Sequence, residues 1–230
     1  MYKGWRIGVV IPALNEEEAI SHVVADIPDW VDEIVVADNG SSDRTAEIAE
    51  QAGAVVVHER ECGYGAACQA AISALKSAGI VVFLDGDYSD HPGEMAALVD
   101  PIAERRAEFV VGSRILGEAE RGALMLQQRF GNWLACSLMR LFWRAHYTDL
   151  GPFRAVRRDA LESLKMTDRK FGWTVEMQIK AAKAGLKSVE VPVSYRSRIG
   201  ASKISGTLSG SFKAGVGILG WIARSALKTD

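Results

Sequence analysis

Two aspartates flank a glycine at Asp85-Gly86-Asp87, directly after the apolar run at residues 80–84. Carboxylates at i and i+2 around a glycine can both turn toward one hard cation. Mg2+ or Mn2+ is commonly held by one or two carboxylates together with substrate phosphates. A cation on Asp85 and Asp87 would neutralise a departing diphosphate. Taken alone, Asp-Gly-Asp is also an ordinary turn composition, so its position has to decide. Two further polar clusters follow apolar runs: residues 12–16 after 6–11, and residues 38–43 after 33–37. In an open parallel sheet, ligands bind beyond the carboxyl ends of the strands. Three clusters at such ends therefore point to one shared site. Neither G-x-G-x-x-G nor a P-loop occurs at any of them, which argues against dinucleotide and P-loop nucleotide binding.

Late in the chain, R-I-G-A-S-K at 198–203 places Arg198, Lys203 and the hydroxyl of Ser202 in one loop. That composition suits gripping phosphate; a solvated basic loop is the other meaning of such a run. Asn15 reads either as a site residue or as the cap of a helix opening with Glu16, Glu17 and Glu18. The four histidines (22, 58, 91 and 146) have no metal-ligand spacing, His91-Pro92 reads as a helix start, and no G-x-S-x-G elbow is present.

Buried strands must hold these clusters. Strands are predicted at residues 6–11, 33–37, 55–58, 80–84, 108–111, 153–156 and 189–195. Helices are predicted from Asn15 to Pro28, from Asp43, and over 63–76, 124–146, 175–183 and 207–227. Near-continuous apolar strands alternating with helices indicate an α/β protein with a mostly parallel sheet. With 230 residues, the chain suits one domain. A net charge of -2 gives no sign of a nucleic-acid partner. Three cysteines without a C-x-x-C pair fit a reducing compartment. The first residues lack the apolar core of a signal peptide, and no run of 18 apolar residues occurs. The expected location is cytoplasmic, with any membrane partner met from the surface.

The order and spacing of these motifs carry a resemblance. I-P-A-L-N-E at 11–16, A-D-N-G-S-S-D-R-T at 37–45, D-G-D at 85–87 with H-P at 91–92, G-S-R at 112–114, T-D-L-G-P-F-R-A at 148–155, W-T-V-E-M at 173–177 and G-x-S-K at 200–203 together resemble family 2 glycosyltransferases of the GT-A fold. Within that family the chain is most similar to dolichol-phosphate and other polyprenyl-phosphate mannose and glucose synthases. The resemblance implies a single GT-A domain over 1–230. Residues 1–112 would form the nucleotide-sugar half, 113–204 the acceptor half, and 205–230 a C-terminal helix. It implies that Pro12, Asn15 and Glu16 line the nucleotide pocket and that Asp38 meets the base or ribose. Asp85 and the adjoining Gly86 would face the nucleotide sugar, with Asp87 holding the metal. Arg114 and Arg129 would meet the acceptor phosphate, and Glu176 would be an acceptor-side carboxylate. Arg198, Ser202 and Lys203 would close on the diphosphate. The chain departs from the family pattern at Asn39 (an aspartate in D-D-G-S), at Ser89 (a glutamine in the mannose enzymes), at Gly151-Pro152, and in the placing of the arginine before G-x-S-K, so that Arg196 can share or take the role given to Arg198. These departures place it on a side branch whose sugar is not inherited from the mannose enzymes.

The expected reaction is an inverting transfer of a hexose from a UDP- or GDP-linked donor, assisted by Mg2+ or Mn2+. A lipid-phosphate acceptor is already anionic and needs no strong base, whereas a sugar hydroxyl needs one, for which Glu176 is the candidate. The predicted helix at 124–146 mixes Leu, Met, Phe and Trp with Arg129, Arg140 and Arg144. It suits an anionic membrane surface bearing a polyprenyl phosphate; burial in the core or in a homo-oligomer is the alternative. A soluble or polysaccharide acceptor, a nucleotidyltransferase and a non-catalytic sugar-nucleotide-binding protein are rival readings. The nucleotidyltransferase is disfavoured because no Gly-rich basic loop follows the first strand.

Overall fold

The computed structural model describes residues 1–200 and 208–227, with the backbone alone for 208–214 and 216. Seven strands form one sheet: β1 (Ile7–Ala13), β2 (Glu33–Asp38), β3 (Val55–His58), β4 (Ile80–Phe83), β5 (Phe109–Ser113), β6 (Arg154–Arg157) and β7 (Ser188–Pro192), in the order β3-β2-β1-β4-β6-β5-β7. All neighbours pair in parallel except β6, which is antiparallel to both β4 and β5.

The helices are α1 (Ile20–Ala25), α2 (Thr45–Gln51), α3 (Tyr64–Ala74), α4 (Met95–Ala103), α5 (Leu126–Trp143), α6 (Arg158–Leu164), α7 (Trp173–Lys183) and α8 (Leu208–Leu227). Alternate residues of the strands feed two cores. Ile7, Val9 and Ile11 pack with α1, α2 and α4 on one face. Val10, Val81 and Phe83 pack with α3 and with α5 to α8 on the other. Because both faces are covered, β1 is buried along its whole length, which explains its unbroken apolar run.

The single reversed strand matters for function. β5 leaves the sheet at the same edge as β1, β2 and β4, and β6 re-enters from that edge because it runs the other way. Residues 114–153, α5 among them, are therefore held at the carboxyl edge of the parallel strands. β7 runs parallel to β5 and also leaves there, which brings residues 193–200 across the same edge.

The predicted strands are all present, with ends shifted by a few residues. Helix α6 was not predicted, whereas α4 follows the helix start expected at His91-Pro92, after one tight turn at Pro92–Glu94. The helix after β1 begins at Ile20 rather than at Glu16. The intervening residues are pulled toward the β2 loop: Asn15 takes a left-handed backbone (φ 53°), and the amides of Glu16 and Glu17 donate to Thr45 Oγ1 and Asp43 Oδ2. Asn15 is thus not the helix cap.

Candidate active site

β2, β1 and β4 are consecutive in the sheet, so their carboxyl ends bring the three polar clusters together. Ala13 is in register with Asp38, and Gly86 lies against the Pro12 carbonyl and the Ala13 methyl. The β1 and β2 loops are stitched to each other. Ser42 N donates to Asn15 Oδ1 at 2.7 Å, and Asn15 N donates to Ser41 Oγ at 2.9 Å. Asp38 is buried; its Oδ1 accepts from Ser41 N, and its Oδ2 lies 3.1 Å from His58 Nδ1 at the end of β3.

The carboxylates at the end of β4 crowd one another. Asp87 is 7% exposed, and its Oδ1 accepts from the amide of Ser89 at 3.0 Å and from its hydroxyl. Asp85 Oδ1 accepts from the Tyr64 hydroxyl at 3.0 Å, and the Asp85 amide donates to Asp90 Oδ2 at 3.2 Å. Burial, reinforced by the charge of Asp87, pushes the Asp85 carboxyl up to about 7. Burial pushes Asp90 well above the usual carboxylate range, with Asp85 and Asp87 adding to it. Asp90 Oδ1 is buried without a hydrogen-bond partner.

This concentration of negative charge fits a divalent cation. The oxygen donors are hard, they lie at the sheet edge, and positive charge there would relieve their mutual repulsion. Among the described residues no group of three His, Cys, Asp or Glu side chains is arranged as a complete metal cage. The donor set corresponds instead to the mode in which one or two carboxylates share the ion with substrate phosphates.

Three arginines surround this edge, each with its own job. Arg198 reaches Asp87 Oδ2 through Nη1 at 3.1 Å and Glu16 Oε1 through Nη2 at 2.7 Å. Arg196 lies over the Tyr88 ring at 3.3 Å and donates to the carbonyls of Tyr88 and Asp90. It thereby fixes the turn that carries the carboxylates. Of the two, Arg198 is the one that faces Asp87. Arg114 forms a bidentate pair with Asp149, at 2.7 and 2.8 Å, under the ring of Tyr195.

Residues 8–165 match the family model described as Glycosyl transferase family 2. The chain belongs to glycosyl transferase family 2. An uncharacterised glycosyltransferase of Mycobacterium tuberculosis is 37% identical over 92% of this chain and 95% of its own length. A dolichyl-phosphate hexose transferase of Haloferax volcanii is 36% identical over 86% of each. Among solved structures, glucosyl-3-phosphoglycerate synthase from M. tuberculosis, in complex with Mn2+, UDP and glucosyl-3-phosphoglycerate, superposes with a TM-score of 0.78 at 26% identity. That superposition covers 99% of this chain and 82% of the synthase. The GT-A fold expected from the motifs is the fold observed.

The remaining predicted residues of this glycosyltransferase fall into three groups. Ser202 and Lys203 lie outside the described residues. Arg129 is exposed on α5. Glu176 is the correction. Its carboxylate is 0% exposed; Oε1 accepts from the amide and hydroxyl of Thr167 and pairs with Lys180, and Oε2 accepts from the amide of Asp168. A carboxylate this engaged is not placed to take a proton from an acceptor; it fixes the 167–168 turn. That turn in turn packs on the start of α3, where a Cβ on Gly63 or Gly65 would run into the carbonyls of Arg169 and Asp168.

Several residues at the site were not singled out from the sequence. Tyr64 and Asp90 touch Asp85, His58 touches Asp38, and Asp149 holds Arg114. Asp90 carried a faint signal, as a third carboxylate within six residues. His58 ends β3 and Tyr64 opens α3, so both side chains reach the site from segments outside the clusters at 12–16, 38–43 and 85–87. Asn39, noted only as a departure from D-D-G-S, proves to be a clamp. Its Nδ2 donates to the carbonyls of Glu59 and Glu61, and its Oδ1 accepts from Gly63 N at 2.7 Å. An aspartate lacks those two N–H groups.

Proposed function

We propose that this enzyme transfers a hexose, with inversion, from a nucleotide diphospho-sugar to a polyprenyl phosphate at a membrane surface. A divalent cation would be held by Asp87 with Asp85 beside it, and would supply the charge that stabilises the departing nucleoside diphosphate. On this reading residues 1–112 hold the donor, with Pro12, Asn15, Glu16, Asp38 and Gly86 around the nucleotide, and residues 113–204 serve the acceptor. Arg198, with Ser202 and Lys203, neutralises the diphosphate. Arg114 and Arg129 are the cations on the acceptor side. Positioning and charge neutralisation do the work, and an acceptor that arrives already ionised needs no base. The engagement of Glu176 elsewhere agrees with that.

The observation that carries the acceptor is the outer face of α5. Leu126, Phe130, Trp133 and Leu141 recur at helical spacing and are 81%, 62%, 61% and 72% exposed, with the exposed Arg129, Arg140 and Arg144 beside them. Ala135, Cys136 and Met139 bury the opposite face. An apolar stripe flanked by arginines suits the boundary of an anionic bilayer, and the antiparallel β6 holds this helix at the active edge. No described helix is long and apolar enough to cross a membrane, so the contact would be peripheral. The dolichyl-phosphate hexose transferase relative supports the same acceptor class.

A soluble phosphorylated acceptor is the second reading, favoured by the structural likeness to glucosyl-3-phosphoglycerate synthase. A panel of UDP- and GDP-hexoses, offered with polyprenyl phosphate in anionic vesicles or with phosphoglyceric acid in solution, separates the two. Turnover with the lipid and flotation with the vesicles are expected. Turnover with phosphoglyceric acid and no flotation would overturn the lipid assignment.

A further inference from the structure

Arg114 and Arg198 both pair with aspartates at the active edge, in different ways. Arg114 uses two N–H groups of one fork on the two oxygens of Asp149, the strong bidentate arrangement. Arg198 divides its guanidinium between two carboxylates, donating from Nη2 to Glu16 Oε1 and pairing through Nη1 with Asp87 Oδ2 at 3.1 Å, and its Nε is buried with no hydrogen-bond partner. Its backbone surroundings are firm. Arg196, two residues earlier, is anchored on Tyr88 and on two carbonyls, and the amide of Ile199 donates to the Asp87 carbonyl at 3.0 Å. The Arg198 side chain is thus the less fully bonded of the two guanidinium groups, on a fixed stem.

Asp87 has two carboxylate oxygens. Ser89 holds Oδ1, and Arg198 lies 3.1 Å from Oδ2. A divalent cation and a guanidinium repel each other and are drawn to the same negative charge. We propose that Arg198 is a built-in counter-ion of Asp87, which a divalent cation displaces and the donor diphosphate then receives. The exchange makes the site favour metal and diphosphate together over metal alone. It keeps the buried carboxylate paired before the donor arrives and delivers a cation to the diphosphate when it does. The proposal rests on the reading of Asp87 as the cation ligand.

The test is Mn2+ binding, followed by electron paramagnetic resonance and calorimetry, with Mn2+ alone and with UDP or GDP present. Wild type is compared with R198Q, R198K and D87N. Removing the competing charge should tighten binding of Mn2+ alone in R198Q by roughly five- to tenfold, within the range of ordinary site-to-site couplings. The further tightening produced by the nucleoside diphosphate should shrink by a similar factor, because linkage is reciprocal. R198K should move the same way by less, and it decides the matter if R198Q does not fold. A purely structural arginine predicts weaker Mn2+ binding with and without nucleotide alike. Unchanged or weaker binding of Mn2+ alone in R198Q therefore overturns the exchange. D87N separates the two layers. If it keeps wild-type Mn2+ affinity, the assignment of Asp87 fails and the proposal with it; if it loses that affinity while R198Q is unchanged, the exchange alone fails.

Discussion

The two sides of the active edge are built on opposite plans. On the side formed by β1, β2 and β4, loops are tied to loops: Asn15 to Ser42, Glu16 to Thr45, and Asn39 to residues 59, 61 and 63. On the side formed by residues 114–153, α5 buries one face and leaves large apolar side chains in the open. Dense hydrogen bonding fixes charged groups within the small tolerances that transfer chemistry requires. A bare apolar stripe gains nothing in the isolated chain; it makes sense as a surface completed by something else. On the proposed reading, the contrast assigns precision to the side that holds the donor and association to the side that meets the acceptor.

The most severe way to break the donor side is Asp87→Asn. It keeps shape and an acceptor for Ser89 while removing the charge that attracts the cation. We expect Mn2+-dependent turnover to fall by about a thousandfold or more, the scale of losing a main electrostatic contribution to the transition state, with the melting temperature within a few degrees of wild type. Turnover within tenfold of wild type would remove the cation from Asp87.

Asn39→Asp attacks the scaffold rather than the chemistry. It withdraws two N–H donors and sets a carboxylate against the carbonyls of Glu59 and Glu61 and near Asp38. Unpaired buried polar groups cost about 1–3 kcal/mol, more when charged, so a fall in melting temperature of roughly 4–10 °C is expected for a chain of this size. Nucleotide affinity should fall with it. An unchanged melting temperature would mean that the 59–63 segment is held by something other than Asn39.

The acceptor side is tested by Phe130→Ser with Trp133→Ser. Both residues are exposed, so stability should move by no more than about 0.5 kcal/mol per site. Flotation with anionic vesicles should drop, and turnover with vesicle-borne polyprenyl phosphate should fall about tenfold, in line with the loss of apolar area at an interface. Hydrolysis of the donor in solution should stay as it is. If both activities fall together, α5 shapes the site and does not dock.

The same contrast explains what the residues alone could tell. The carboxyl-edge clusters at 12–16, 38–43 and 85–87 were legible because each follows a buried strand, and strand periodicity is a local property. The antiparallel insertion of β6 was not legible: R-A-V-R does not encode its own direction, and that direction depends on pairing with β4 and β5, whose partner residues lie 71 to 77 and 43 to 47 positions earlier in the chain. The engagement of Glu176 was hidden for a similar reason, since the amides of Thr167 and Asp168 reach it through a turn whose shape is set by packing on α3. Helix α6 was missed because it is only two turns long.

His58 offers the finest test of the donor side, because it belongs to that side only through Asp38. It stands at the end of β3, in register with Asp38 across the sheet, with 67% of its side chain in solvent and Nδ1 3.1 Å from Oδ2. Asp38 has a second, inner partner in the amide of Ser41. Exposed pairs contribute about 0–1 kcal/mol, so His58→Ala should weaken nucleoside diphosphate binding by less than about fivefold and leave kcat at saturating donor unchanged. That split follows if Asp38 is held mainly from within and His58 only limits the rotation of its outer oxygen. A fall in kcat at saturation would instead place His58 within the rigid donor frame, and the boundary between the two building plans would then lie one strand further out.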